Sequence, residues 1–294
     1  MPELPLPPLW LPRRQEDSHK GTYGRCLIVA GSRGMAGAAS LSGTAALRVG
    51  TGLVTVAAPD NCVDVVAAWE PCYTTLGLAC ANGQLLAPDA IAQIASHPAD
   101  AVGFGPGMGT SDSQVELARW FYAHREVPAV IDADGLNCLA LSSADWKTHR
   151  GPRILTPHPG EFRRMLASPA MEVDQLRSQA RSWAGEHGVV LVLKGHRTLV
   201  TDGVSCYENP TGNPGMATGG SGDVLTGVIA GLLAQGLSPF DAARLGVYLH
   251  GLAGDLSAQR IGPAGLLARD LLDDLPKALQ RTSVAPRPRI GFLS

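Results

Sequence analysis

The run Asn209-Pro210-Thr211-Gly212-Asn213-Pro214-Gly215-Met216-Ala217-Thr218-Gly219-Gly220-Ser221-Gly222-Asp223 carries the residue types that phosphate chemistry asks for. A polar, glycine-rich loop runs straight into an amphipathic helix, expected over Asp223 to Ala234. The first backbone N–H groups of a helix lack intrahelical partners and carry the positive end of its dipole. Glycine lets the main chain close around phosphate oxygens with no Cβ in the way. Gly219, Gly220, Ser221 and Gly222 are therefore expected to form an anion hole made of backbone, which needs no lysine. A carboxylate in the first helical turn, such as Asp223, is favoured by the dipole alone. Beside an anion hole it is also placed as a general base for a substrate hydroxyl, while the hole stabilises charge on a phosphoryl group in transfer.

Other unusual residues gather where strands are expected to end. Short apolar runs at Cys26–Ala30, Leu53–Ala57, Ala101–Phe104, Ala129–Ile131, Arg153–Leu155 and Val189–Leu193 read as buried strands. Helix-period stretches such as Met35–Val49 and Phe240–Ala258 lie among or after them. That alternation predicts an α/β fold with a mostly parallel sheet covered on both faces. Thr201-Asp202-Gly203 sets a hairpin turn between Thr198 and Tyr207, adding an antiparallel ribbon at one edge. Glycine or acidic clusters follow four of the strands: GSRGMAGA at 31–38, GFGPGMG at 103–109, DADGLN at 132–137 and TPHPGE at 156–161. In open α/β sheets, ligands bind at that edge.

Composition narrows the classes. In a chain of 294 residues the formal charge of -2 argues against a nucleic-acid binder. No apolar run is long enough to span a bilayer, and the amino terminus lacks the order of a signal peptide. The six cysteines show no C-x-x-C spacing and read as buried thiols of a reducing, cytoplasmic compartment. Residues 1–19 are expected to form a proline-rich arm, either lying on a neighbouring subunit or loose, ahead of one domain over 20–294. A G-x-x-x-x-G-K-[ST] motif is absent, and the glycines at 103–109 do not fit G-x-G-x-x-G, so Walker and Rossmann nucleotide sites are excluded.

Taken in order, GSRGMAGA, GPGMG, DADGLN, TPHPGE, KGHRT at 194–198 and NPTGNPGMATGGSGD resemble the ADP-dependent NAD(P)H-hydrate dehydratases of the ribokinase-like superfamily, over about Lys20 to Asp274. The resemblance implies a three-layer α/β/α fold and a repair reaction. NADH or NADPH that has added water across a ring double bond is restored, with ADP giving AMP and phosphate. Phosphorylation makes the ring hydroxyl a good leaving group, and the ring nitrogen expels it. By position, the resemblance makes Asp223 the base. Ala38, Gly107, His158 and Asp223 hold the hydrated dinucleotide. Lys194, Gly195, His196, Arg197 and Thr198, with Gly222, hold the nucleotide. Mg2+ is expected on the polyphosphate, with no protein metal ligand assigned.

The residues leave alternatives open. His158 stands between two prolines and also suits a structural turn. Glu161 stands where related kinases use Asn-x-x-Glu to arrange magnesium; with His158 in place of the asparagine, it also reads as a helix-start carboxylate. Lys194 and Arg197 also suit a solvated strand end, Ala38 close packing, and Asn137 a loop support. If the strand continues through Asp132 and Asp134, they face opposite ways and at most one points into the site. A kinase of a small alcohol would use the same corner, and a non-catalytic nucleotide sensor could keep the fold. The family resemblance further implies a homotetramer acting on the S epimer, with a separate NAD(P)H-hydrate epimerase handling the other.

Overall fold

The computed structural model describes residues 5–81 and 84–282. Its first half builds β1 (Arg25–Val29), α1 (Ala36–Arg48), β2 (Leu53–Pro59), α2 (Val63–Trp69) and β3 (Thr74–Leu78). A two-stranded ribbon, β4 (Cys80–Ala81) with β5 (Gln84–Leu85), precedes α3 (Ala87–Ser96). Strands and helices then alternate through β6 (Ala101–Phe104), α4 (Asp112–His124), β7 (Ala129–Ile131), α5 (Asp134–Leu141), β8 (Arg153–Leu155) and α6 (Pro159–Met165). The remainder is α7 (Val173–His187), β9 (Val190–Leu193), β10 (Leu199–Thr201), β11 (Cys206–Glu208), α8 (Ser221–Ala234), α9 (Pro239–Ile261) and α10 (Ala268–Gln280).

The main sheet has the order β11-β10-β9-β8-β7-β6-β1-β2-β3. Pairing is parallel from β9 to β3, and β10 and β11 add antiparallel at one edge. β1 lies between β2 and β6, with Ile28 opposite Val56 on one side and Gly103 on the other. The chain runs outward from β1 to β3 and then returns to β6. This reversal leaves a crevice beyond the carboxyl ends of β1 and β6, the place where open α/β sheets bind ligands.

Strand side chains alternate between two buried layers, as the two-residue period requires. Cys26, Ile28, Val54, Val56, Val130 and Ile154 meet α1, α8, α9 and α10 on one face. Leu27, Val29, Val102, Phe104, Ile131 and Leu155 meet α3 to α7 on the other. Helix α8 is buried nearly all round, hence its apolar sequence. It packs directly on α1 because position 227 is glycine: a Cβ there would fall 2.0 Å from the Ser42 carbonyl oxygen. The same contact lets Ser42 Oγ donate to the Asp223 carbonyl at 2.8 Å, tying the start of α8 to α1.

The amino-terminal segment packs on its own chain. Leu9 and Leu11 lie against the core layer of α9 and α10. Tyr248 Oη donates to the Pro5 carbonyl at 2.7 Å, and Leu11 N–H donates to the Thr282 carbonyl at 3.0 Å. The first four residues of the expected arm, and residues 283–294 of the expected domain, lie outside the described residues. The expectation of buried cysteines holds for Cys26, Cys62 and Cys138, whereas Cys72 and Cys206 are exposed and Cys80 is half-buried. Cys206 sits on the edge strand β11, where alternate side chains face water, which apolar neighbours in sequence did not reveal.

Candidate active site

Gly220 stands just before α8 with φ +90°, a left-handed conformation that favours glycine, and turns the loop into the helix. A Cβ at 220 would also meet Leu41 at 2.6 Å. At Gly219 a Cβ would meet nothing within 4 Å, so the mouth of the turn is open. Within the described residues, no hydrogen bond uses the N–H groups of Gly219, Gly220, Gly222 or Asp223. Of the four residues expected to form an anion hole, Gly219, Gly220 and Gly222 have unpartnered N–H groups among the described residues, whereas Ser221 N–H donates to the Thr218 carbonyl at 3.4 Å.

Helix α9 holds this loop from behind. Asp255 accepts from Gly212 N–H at 2.9 Å and from Asn213 Nδ2 at 3.0 Å. Thr211 Oγ1 donates to the Tyr248 carbonyl at 2.9 Å, and Asn209 Nδ2 to the Val247 carbonyl at 2.9 Å. His250 Nε2 reaches the Ser221 carbonyl at 2.9 Å. A carbonyl only accepts, so that ring nitrogen carries the proton. Burial pushes the His250 pKa down to about 4, keeping the ring neutral.

Under the hole lies a polar cluster that was only partly expected. Asp132, 1% exposed, accepts from Lys194 Nζ at 2.6 Å and from Thr226 Oγ1 at 2.8 Å. Lys194 Nζ also lies 3.8 Å from Glu161 Oε2. Burial works to lower the Lys194 pKa, but the charges of Asp132, Glu161 and Asp223 together raise it, so the ammonium persists. Gly222 is the ceiling of this cluster. A Cβ there would stand 3.4 Å from Lys194 Nζ and 3.5 Å from Asp132 Oδ2. A lysine, which the sequence reading of this loop did not call for, thus sits directly beneath these backbone N–H groups. Lys194 is not the solvated strand end that its position after β9 also allowed.

Asp132 and Asp134 did not follow strand alternation. β7 stops at Ile131, and Ala133 adopts φ 50° and ψ −120°. With this kink both carboxylates, not one, lie close enough to Asp223 for their charges to raise its pKa. Asp134 Oδ2 accepts from Gly109 N–H at 2.9 Å and Oδ1 from Asn137 Nδ2 at 3.3 Å. Asn137 in turn accepts from Arg164 Nε at 3.0 Å, so it supports the loop rather than facing open space.

The GPGMG loop crosses the crevice. Gly31 N–H donates to the Pro106 carbonyl at 2.8 Å, and Ser32 Oγ to the Gly107 carbonyl at 2.9 Å. Gly107 has φ +62°, and a Cβ there would strike the Ala38 Cβ at 2.8 Å. Gly107 and Ala38 therefore touch, forming one small-residue wall. His158 caps α6: its Nδ1 accepts from Gly160 N–H at 2.9 Å and from Glu161 N–H at 3.3 Å. Glu161 returns the bond, accepting from His158 N–H at 2.8 Å. Burial, with help from Lys194 and Arg164 and against Glu161, lowers the His158 pKa. The neutral ring carries its proton on Nε2, which faces Glu161 Oε1 at 3.5 Å. Gly195, His196 and Arg197 are exposed in the β9–β10 turn, which Thr198 Oγ1 closes by donating to the Gly195 carbonyl at 3.0 Å.

Asp223 occupies the third position of α8, next to the open mouth. Its carboxylate accepts no hydrogen bond among the described residues. Burial pushes its pKa up to about 7, with Asp132 and Asp134 adding and Lys194 opposing. A half-buried carboxylate without donors, poised near neutrality beside free N–H groups, is equipped to take a proton from an alcohol.

This geometry agrees with what similarity finds. The family model for NAD(P)H-hydrate dehydratase matches residues 26–277. The chain belongs to the NAD(P)H-hydrate dehydratase family. It is 38% identical over 274 residues to the ADP-dependent (S)-NAD(P)H-hydrate dehydratase of Bacillus subtilis, covering 92% of this chain and 94% of that one. It is 46% identical over 275 residues to the bifunctional NAD(P)H-hydrate repair enzyme of Moorella thermoacetica, covering 92% of this chain and 52% of the relative. The chain thus spans about half the length of the bifunctional relatives that it matches. A crystal structure of the Bacillus subtilis ADP/ATP-dependent dehydratase, grown with ATP and Mg2+, superposes with a TM-score of 0.81 at 34% identity, covering 93% of this chain and 95% of that one. Arabidopsis thaliana ribokinase, 14% identical with a TM-score of 0.54, shares the fold. The three-layer, ribokinase-like architecture expected from the sequence is the one observed.

Three participants gave weaker signals in sequence. Thr226 is the one hydroxyl residue between Asp223 and Ala234, and that isolation in an apolar helix was the available sign. His250 and Asp255 lie in α9 with no motif around them, and their partners are distant along the chain.

Proposed function

We propose that this chain restores hydrated NADH and NADPH by ADP-dependent dehydration of the S epimer, releasing AMP and phosphate. The observation that carries the reading is the donor-free carboxylate of Asp223 beside the open backbone hole at Gly219–Gly222. The names of the family and of its members support the substrate. In this reading the Gly107–Ala38 wall, His158 and Asp223 hold the dihydropyridine end of the substrate, with His158 Nε2–H as donor. The Lys194–Thr198 turn and Gly222 hold the nucleotide. Asp223 removes the proton from the ring hydroxyl as that oxygen attacks the terminal phosphorus of ADP. The free N–H groups, with Lys194 beneath, stabilise the charge that develops. Asp132 and Thr226 keep that ammonium in place.

The side chains do not fit a protein-held divalent ion. Asp132 is committed to Lys194 and Thr226, Glu161 to His158, and no group of three or more ligand-type side chains forms a cage among the described residues. Mg2+ accordingly enters on the polyphosphate, as harder, well-hydrated cations do. We further propose a cytoplasmic homotetramer with a functional link to an NAD(P)H-hydrate epimerase. The bifunctional relatives support the link, and the free cysteines support the reducing compartment. No helix among the described residues is long and apolar enough to cross a membrane.

The test is to supply hydrated NADH with ADP and Mg2+ and follow absorbance of restored NADH together with AMP and phosphate. Equal yields of all three are expected. Accumulation of a stable phosphate ester, with no NADH, would show a kinase instead.

A further inference from the structure

Dehydration needs more proton traffic than phosphorylation. Once phosphate leaves C6, the ring nitrogen holds an iminium ion, and C5 must lose a proton to make the C5–C6 double bond. A second proton abstraction is therefore required, and the site offers few acceptors for it. Both Asp132 oxygens accept from Lys194 and Thr226. Both Asp134 oxygens accept from Gly109 and Asn137. Glu161 faces His158 from both oxygens. The His158 Nδ1 lone pair is taken by two backbone N–H groups, so its other nitrogen is a donor. Among the carboxylates of this cluster, that of Asp223 alone accepts no hydrogen bond within the described residues.

We propose that Asp223 performs three proton transfers in sequence, as base, acid and base, so that oxygen and hydrogen leave from one face of the ring. This rests on the dehydratase reading above. In the first transfer the carboxylate takes the C6 hydroxyl proton as the oxygen bonds to phosphorus and AMP departs. In the second, the resulting carboxylic acid returns that proton to the bridging oxygen as the C6–O bond breaks. Monohydrogen phosphate leaves, and the nitrogen lone pair forms the iminium bond. In the third, the regenerated carboxylate takes the C5 proton, and the C–H electrons become the C5–C6 bond. Asp223 then yields its proton to water. In sum, hydrate and ADP give NADH, AMP, monohydrogen phosphate and one proton, with no oxidant or further reactant.

The environment suits an acid that must also be a base. Burial holds Asp223 at about 7. A phosphate monoester takes up its own second proton at about 6, so transfer between the two is nearly balanced. A carboxylate left near 3.8 would be a poor acid for the second transfer.

The test uses hydrate made in heavy water, which carries deuterium at C5, with each face assigned by its vicinal coupling to the C6 hydrogen. After turnover with ADP, deuterium on the same face as the hydroxyl should be lost and deuterium on the opposite face retained in NADH. Loss from the opposite face overturns the proposal while leaving the dehydratase reading intact. Failure to form NADH at all overturns that reading, and the proposal with it. A second arm separates Asp223 from the departing phosphate as the final base. Protein, NADH and AMP are incubated in heavy water without phosphate. Exchange of deuterium into C5 by the native chain, with loss of that exchange in folded Asp223→Asn, is expected. No exchange in the native chain, or equal exchange in the variant, overturns it.

Discussion

Asp223→Asn should abolish turnover and at the same time make the protein more stable. The native carboxylate is ionised in a place that penalises charge, with its pKa moved from 3.8 to about 7. At about 1.4 kcal/mol per unit, three units correspond to a ceiling of about 4 kcal/mol. Asp223 is only part-buried and Lys194 stands near it, so about 2 kcal/mol is the expected gain once screening is included. For a chain of this size, about 2 °C per kcal/mol gives a rise in Tm of about 4 °C. The sign follows from linkage. Between 3.8 and about 7 the folded state binds more protons at this position than the unfolded chain, so native stability falls as pH rises through that window. The asparagine variant does not feel this loss. Melting both ligand-free proteins at about pH 4 and about pH 8 should show the variant's advantage growing with pH. An equal difference at both, or none at the higher pH, would refute the claim that Asp223 is held charged at a cost.

In the proposed reaction turnover uses ionised Asp223, so kcat/KM should rise as pH passes through about 7; Asp132→Asn should move that limb to lower pH and Lys194→Met to higher pH, read from pH–rate profiles. Gly222→Ala keeps a helical backbone but places a methyl group over Lys194 Nζ and Asp132. A fall in kcat of about 10- to 100-fold, with Tm little changed, is expected from steady-state kinetics and melting. Gly227→Val should destabilise by at least about 3 kcal/mol in denaturant unfolding, because the added Cβ would meet the Ser42 carbonyl oxygen at 2.0 Å.

Much of the frame was legible because local signals coincided with it. The runs at Ala101–Phe104, Ala129–Ile131 and Arg153–Leu155 are strands over those same residues, each apolar but for Arg153 and followed by a turn cluster. The Thr201-Asp202-Gly203 turn does join β10 and β11 at the sheet edge. Edge strand β3, with residues Thr74–Leu78, carries no such run because one side of it remains outside the sheet. The glycine turn into α8 was legible for the same reason as the strands: loop, glycines and helix are contiguous. The cluster beneath it was not. Lys194 and Asp132 are 62 residues apart, and Asp132 and Thr226 are 94 apart, so their meeting depends on β7 and β9 lining up beside α8. The outward turn at Ala133 was hidden too, since alanine gives no sign of a positive φ.

The central claim is that the ring hydroxyl itself, deprotonated by Asp223, attacks the nucleotide phosphorus. The most direct measurement is to place heavy oxygen in the C6 hydroxyl, let the chain act with ADP, and weigh the inorganic phosphate formed. The account predicts that the heavy oxygen is found in phosphate, one atom per molecule of NADH restored. Heavy oxygen released into water instead, alongside restored NADH, would contradict it.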